Sequence, residues 1–193
     1  DTTLKEIALQ AFNKDELVFN FKNITSFKKA CNALNLSYDI ISIVVKDIAT
    51  YSRASAAMFK LNIIRKALNS GHDLYLAKSS EEYGIFHPDN PILAENSLSY
   101  RNDIVSGKIE IIGKIKSEGG LYNILNKNPY NGSYAGLGGF CGTVGQAYAD
   151  TGFLGCATKE IAEHFGKYFG MLITKAKYGD LLDFEIVENK YQN

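Results

Sequence analysis

The chain has 193 residues, of which 46% are apolar and 22% charged. This is ordinary globular usage and excludes a disordered, collagenous or disulfide-scaffolded protein. Lys plus Arg and Asp plus Glu both number 21, so the formal net charge is zero, which argues against a strongly basic nucleic-acid binder.

The neutral total hides an asymmetry. Residues 1–78 hold 11 basic against 7 acidic residues, and residues 79–193 hold 10 against 14. The three cysteines, Cys31, Cys141 and Cys156, cannot all pair within one chain, which points to a reducing compartment or to core thiols. The first residues lack a positively charged start followed by an apolar run. No stretch approaches the roughly 18 apolar residues of a membrane helix. The expected location is therefore the cytoplasm or a virion, with no membrane contact.

In chain order, Leu4, Ile7, Ala8 and Ala11 predict a short amphipathic helix over 3–12. Val18 to Phe21 reads as a strand or extended piece. Thr25 or Ser26 caps a second helix with Phe27, Ala30, Cys31 and Leu34 on one face, and Asn35 ends it. The β-branched run Ile40–Val45 is either a strand or the start of a long helix. The strongest helical period runs over 48–69 through Ala54, Ala57, Met58, Leu61, Ile64 and Leu68, with Gly71 as a stop. Residues 79–103 carry loop punctuation, including Pro88-Asp89-Asn90-Pro91. Lys108–Lys116 alternates as a strand, with turns at Gly107 and Gly119-Gly120. Tyr122, Ile124 and Leu125 form another short element. Residues 132–170 hold 10 of the 17 glycines, a pattern of bent strands and tight loops in its first part. Thr158 then caps a helix with Ile161, Ala162, Phe165, Phe169 and Leu172 on its apolar face, and Leu181–Val187 is a closing strand.

Several constellations bear on chemistry. Cys141 lies in Gly138-Gly139-Phe140-Cys141-Gly142, where glycines let backbone N–H groups approach a substrate as an oxyanion hole requires. His164 on the following helix would be its base, oriented by Asp150 or Glu160, in a cysteine-dependent hydrolase. The plainer reading of Cys141 is a small buried apolar residue. Cys141, Cys156 and His164 lack the tight cysteine pair of a zinc site, so no metal is expected. The glycine-rich stretch has no Lys-Ser/Thr pair of a P-loop, and the dinucleotide pattern fails at Cys141, so no cofactor is expected either. Lys28, Lys29, Lys46, Arg53, Lys60, Arg65 and Lys66 would give the N-terminal helices a basic face and a weak affinity for nucleic acid. Asp39 and Asp47 dilute that face, and a solvated helical surface is the simpler account. Finally, there are twelve tyrosines and no tryptophan. Tyr122, Tyr130, Tyr134 and Tyr148 fall among Gly, Ser and Asn, the composition of adaptable protein-binding surfaces. Packing within strands is the competing use of tyrosine.

Three segments carry a resemblance: Ile24–Leu34, Phe59–Gly71 and Phe153–Phe169. The second contains K-L-x-x-I-x-x-A-L-N-x-G, and the third contains C-x-[ST]-x-E-[LI]-A-x-x-x-G-K-x-F. In this order they resemble a group of uncharacterised proteins from phages and mobile elements of gut Bacteroidetes. The middle of those proteins is rich in tryptophan, which this chain lacks. The resemblance implies an accessory phage or prophage protein, including a virion component, and it carries no activity or catalytic residue with it.

The combined expectation is an α+β protein. A helical part over 1–78 packs on a glycine- and tyrosine-rich part over 79–193, an antiparallel sheet with a covering C-terminal helix, in one compact unit. The expected function is non-enzymatic: structural or recognition work through protein partners, self-association included. The cysteine-dependent hydrolase and the nucleic-acid binder are the alternatives.

Overall fold

A computed structural model describes residues 20–70, 86–131 and 154–191, with the side chains of Tyr130 and Asn131 outside the description. The fold is α+β, as expected. The Asn20 side chain accepts from the Lys22 N–H to open a single 3-10 turn over Phe21–Asn23, in place of the expected strand end. Helix α1 spans Phe27–Ala33, and of the two expected caps it uses Ser26, whose Oγ accepts from the Lys29 N–H at 3.3 Å. Asn35 follows with a φ of 55°, a left-handed position that asparagine tolerates well.

The Ile40–Val45 run resolves as helix, within α2 (Tyr38–Tyr51). The expected single helix over 48–69 is two. Ser52 is extended (φ −155°, ψ 116°), ends α2 and caps α3 (Arg53–Leu68), its Oγ accepting from the Ser55 N–H at 2.8 Å. An extended residue interrupts the i→i−4 ladder and lets the two helices take different directions.

The expected loop over 79–103 contains regular structure in its described part: strands β1 (Phe86–Asp89) and β2 (Ile92–Ala94) and the short helix α4 (Arg101–Val105). Strand β3 (Glu110–Ser117) lies where it is expected, between glycines of positive φ at Gly107 and Gly120, but a register shift between Ile111 and Gly113 breaks the alternation and buries Ile112, not Ile111. The short element at Tyr122 is in fact a twelve-residue strand, β4 (Gly120–Asn131). Helix α5 (Lys159–Tyr178) begins at the Thr158 cap, and β5 (Phe184–Asn189) closes the sheet.

All strand pairings among the described residues are antiparallel. Strand β4 is central, with β3 on one flank and then β5. Its other flank takes β1 and β2 in succession, Phe86 opposite Asn131 and Ile92 opposite Ile124. His87 pairs with Tyr130 but Asp89 pairs with Lys127, so β4 carries one extra residue there. Pro88 and Pro129, which have no N–H for a ladder, both sit at this bulge.

Helix α5 packs between the sheet and α3. Its Phe165, Phe169 and Ile173 join Leu61, Ile64 and Leu68 of α3 and Phe27, Ala30 and Cys31 of α1 in one buried cluster. That cluster crosses the expected boundary at residue 78. Burying each of the larger side chains contributes about 1.5–3 kcal/mol. A second cluster joins Met171 of α5 to Ile112, Ile115 and Ile124 of the sheet. The helix approaches the sheet closely at Gly166 and Gly170, where the Asn90 amide donates to Leu125 O at 2.9 Å and to Gly166 O at 3.0 Å. Asn69 joins α3 to the segment before α5: its Nδ2 donates to Gly155 O at 3.2 Å and its Oδ1 accepts from Ala157 N at 2.8 Å.

Candidate functional site

The predicted residues separate. Cys141, Tyr134 and Tyr148 lie outside the described residues. Tyr130 is described by its backbone only, opposite His87 in the sheet. Tyr122 is half-buried on β4 and packs against the Ile112–Ile115–Ile124–Met171 cluster. It also lines a cleft of about 550 Å³ at the end of the sheet, together with Ile92, Leu181, Leu182 and Phe184.

His164 lies on α5, wedged edge-on to Phe21 (centroids 5.5 Å apart) and tilted against Tyr168 (4.5 Å). Its Nε2–H donates to Ile24 O at 2.8 Å. Burial pushes its pKa below the ordinary imidazole value, against the opposing pull of that hydrogen bond. The ring thus anchors the N-terminal segment to α5. Cys31 and Cys156 are both buried in the core. Burial raises both thiol pKa values, that of Cys156 to about 12, so neither is a nucleophile near neutral pH.

The basic residues of the N-terminal helices have diverse surroundings. Arg53 pairs with Asp183 at 3.6 Å, Lys28 lies over the Tyr38 ring, and Lys29 donates to Thr25 Oγ1. Lys60 reaches over Phe27, its ammonium 5.4 Å from the ring centroid.

Two features escaped the sequence reading. The first is the outer face of α2. Ile41, Val45 and Ile48 turn inward to the core. Ile40, Ile43, Val44 and Tyr51 turn outward, with Ile40 64% exposed, Ile43 61% and Tyr51 92%. A helix apolar on both faces ordinarily has both covered. The signal was present in the apolar residues Ile40, Ile41 and Ile43–Val45, but with strand and helix both open for this run the helical stripe could not be assigned.

The second feature is a cleft of about 380 Å³ between α2–α3, α5 and β5. Val45, Ala57, Leu172, Phe184 and Ile186 give it apolar walls, and Arg53, Lys60 and Lys175 bring three cations to it. Burial, and then the neighbouring Lys175 charge, lower the Lys60 pKa. These residues come from four elements, and no local motif announces them.

No protein-family model, curated protein or solved structure matches the chain.

Proposed function

We propose that the chain is a non-enzymatic structural or recognition protein of a phage or prophage, working through protein contacts. The supporting observation is the outward apolar stripe of α2, with Ile40 and Ile43 each more than half exposed. Exposed apolar side chains grouped on one face of a helix suit a protein interface, because covering each one releases water at about 25 cal/mol per Å². The likeness to phage and mobile-element proteins supplies the setting.

A second copy of the chain is the first partner to test, because one apolar stripe can meet the same stripe across a two-fold axis. Sedimentation over a concentration series should show reversible association of the native chain and none for the Ile40→Glu, Ile43→Glu double variant. Association that is unchanged in the variant removes α2 from the interface. A native chain that is monomeric throughout turns the search to other proteins, with the same variant as the control. Mass spectrometry of purified particles tests the phage setting: stoichiometric amounts support a virion component, and absence from particles counts against it.

A further inference from the structure

We infer that the cleft between α3, α5 and β5 binds a small amphiphilic carboxylate, its apolar body against Phe184, Ile186 and Leu172 and its head group at Lys60 and Lys175. This site lies on the inner side of α2, away from the outer stripe, and stands independently of the reading above.

The apolar part of the argument rests on how the layers meet. Helix α5 packs chiefly on β1 and β4 and leaves the inward side chains of β5 incompletely covered. Phe184 and Ile186 therefore form one wall of an open space, facing Val45 and Ala57 from the helices. A volume of about 380 Å³ is within the usual span of small-ligand pockets, which are mostly apolar with a few placed polar groups.

The charged part rests on an imbalance. Lys60 of α3 and Lys175 of α5 reach the same cleft, and each repels the other. Among the described residues neither ammonium has a carboxylate within ion-pair distance. Asp180 is held by Ser52 Oγ and the Ala54 N–H, and Asp183 pairs with Arg53, the third cation of the cleft, which leaves the two lysines. The Lys60 ammonium lies over the Phe27 ring at the edge of the cleft, and burial and the Lys175 charge both disfavour its charged form, so a carboxylate beside it relieves both. The compact ammonium groups and the apolar walls together select an anion with a hydrocarbon body over a fully hydrated anion.

The test is calorimetric titration of the full chain with octanoate, with octanol as the neutral control and octylammonium as the cationic one. Octanoate should bind saturably at one per chain, octanol more weakly, and octylammonium not at all. The Lys60→Met, Lys175→Met double variant should lose octanoate affinity about tenfold or more, as for loss of a charge-assisted hydrogen bond, and keep its octanol affinity. Ala49→Trp, at a position that lines the cleft and is itself exposed, should abolish both. Thermal melts establish that both variants fold, and removal of the two like charges should leave the melting temperature unchanged or higher. Absence of saturable octanoate binding to the native chain, equal affinity for octanol and octanoate, full octanoate affinity in the lysine double variant, or binding retained by Ala49→Trp would each overturn the assignment.

Discussion

The Ser52 hydroxyl donates a hydrogen bond to the Asp180 carboxylate, joining the break between α2 and α3 to the turn that follows α5. The other Asp180 oxygen accepts from the Ala54 N–H at 3.1 Å, and Ser52 Oγ itself accepts from the Ser55 N–H. Together they satisfy two of the N–H groups that the start of a helix leaves without intrahelical partners, and they place a negative charge at its positive end. Replacing Ser52 by Ala should therefore lower stability by about 1–2 kcal/mol, as for other lost serine caps, measured by chemical denaturation. The Ser52 hydrogen bond, and then that of Ala54, hold the Asp180 carboxyl below its ordinary value. Its contribution is complete above the usual aspartate range and is lost as pH falls through the depressed value. Ser52→Ala should narrow that acid-dependent loss.

Gly170 should not tolerate alanine. A Cβ there would fall on Ile112 Cδ1 and lie 2.6 Å from Asn90 Nδ2. The Ile112 terminus can rotate away, but Asn90 is held by Leu125 O and Gly166 O. Alanine gains up to about 1 kcal/mol of helix propensity. Overpacking of a buried, hydrogen-bonded neighbour costs about 1–3 kcal/mol, so a net loss is expected in equilibrium unfolding. A gain would show that α5 can lift from the sheet at no cost.

His164 makes stability sensitive to mild acid. Its folded pKa lies below the ordinary 6.5, chiefly through burial. Below 6.5 the unfolded chain takes up a proton that the folded ring resists, so stability should fall as pH drops from that value toward the lower folded one. His164→Gln removes this titration, and the difference between the two stability curves isolates it. Parallel curves would mean that the ring titrates equally in both states.

The cysteines divide the enzymatic alternative from the rest. Cys31 and Cys156 are buried with raised pKa values, so iodoacetamide should modify them slowly in the folded chain and rapidly in denaturant. Cys141, read by peptide mass spectrometry in the same experiment, is the informative site. Fast alkylation with a pKa well under the free-thiol value of about 8.5 would promote the hydrolase reading over the one proposed here. A rate as slow as that of the two core thiols would end it.

The sequence by itself determined the features whose causes are local. Ser26 and Thr158 were readable as caps because a capping side chain bonds a backbone N–H only three residues away. Gly107 and Gly120 were readable as turns because their positive φ angles suit glycine. The buried face of α5, from Ile161 to Phe169, follows from helical period alone. The α+β class follows from these elements taken together.

Tertiary structure decided whatever depends on a distant partner. The break at Ser52 interrupts an unbroken helical pattern, and the residue that supports it, Asp180, is 128 positions away. The length of β4 was invisible in Tyr122–Leu125, because its outer residues are ordered as strand by pairing with β1 and β3. The choice of helix for Ile40–Val45 goes with the packing of Ile41 and Val45 on the core, against a β-branched propensity that leans toward strand. The same packing decision turned Ile40 and Ile43 outward. The meeting of Lys60 with Lys175 required α3 and α5 to lie side by side. Periodicity reports which face of an element is apolar, and only the assembled fold reports what covers that face and which charges it brings together.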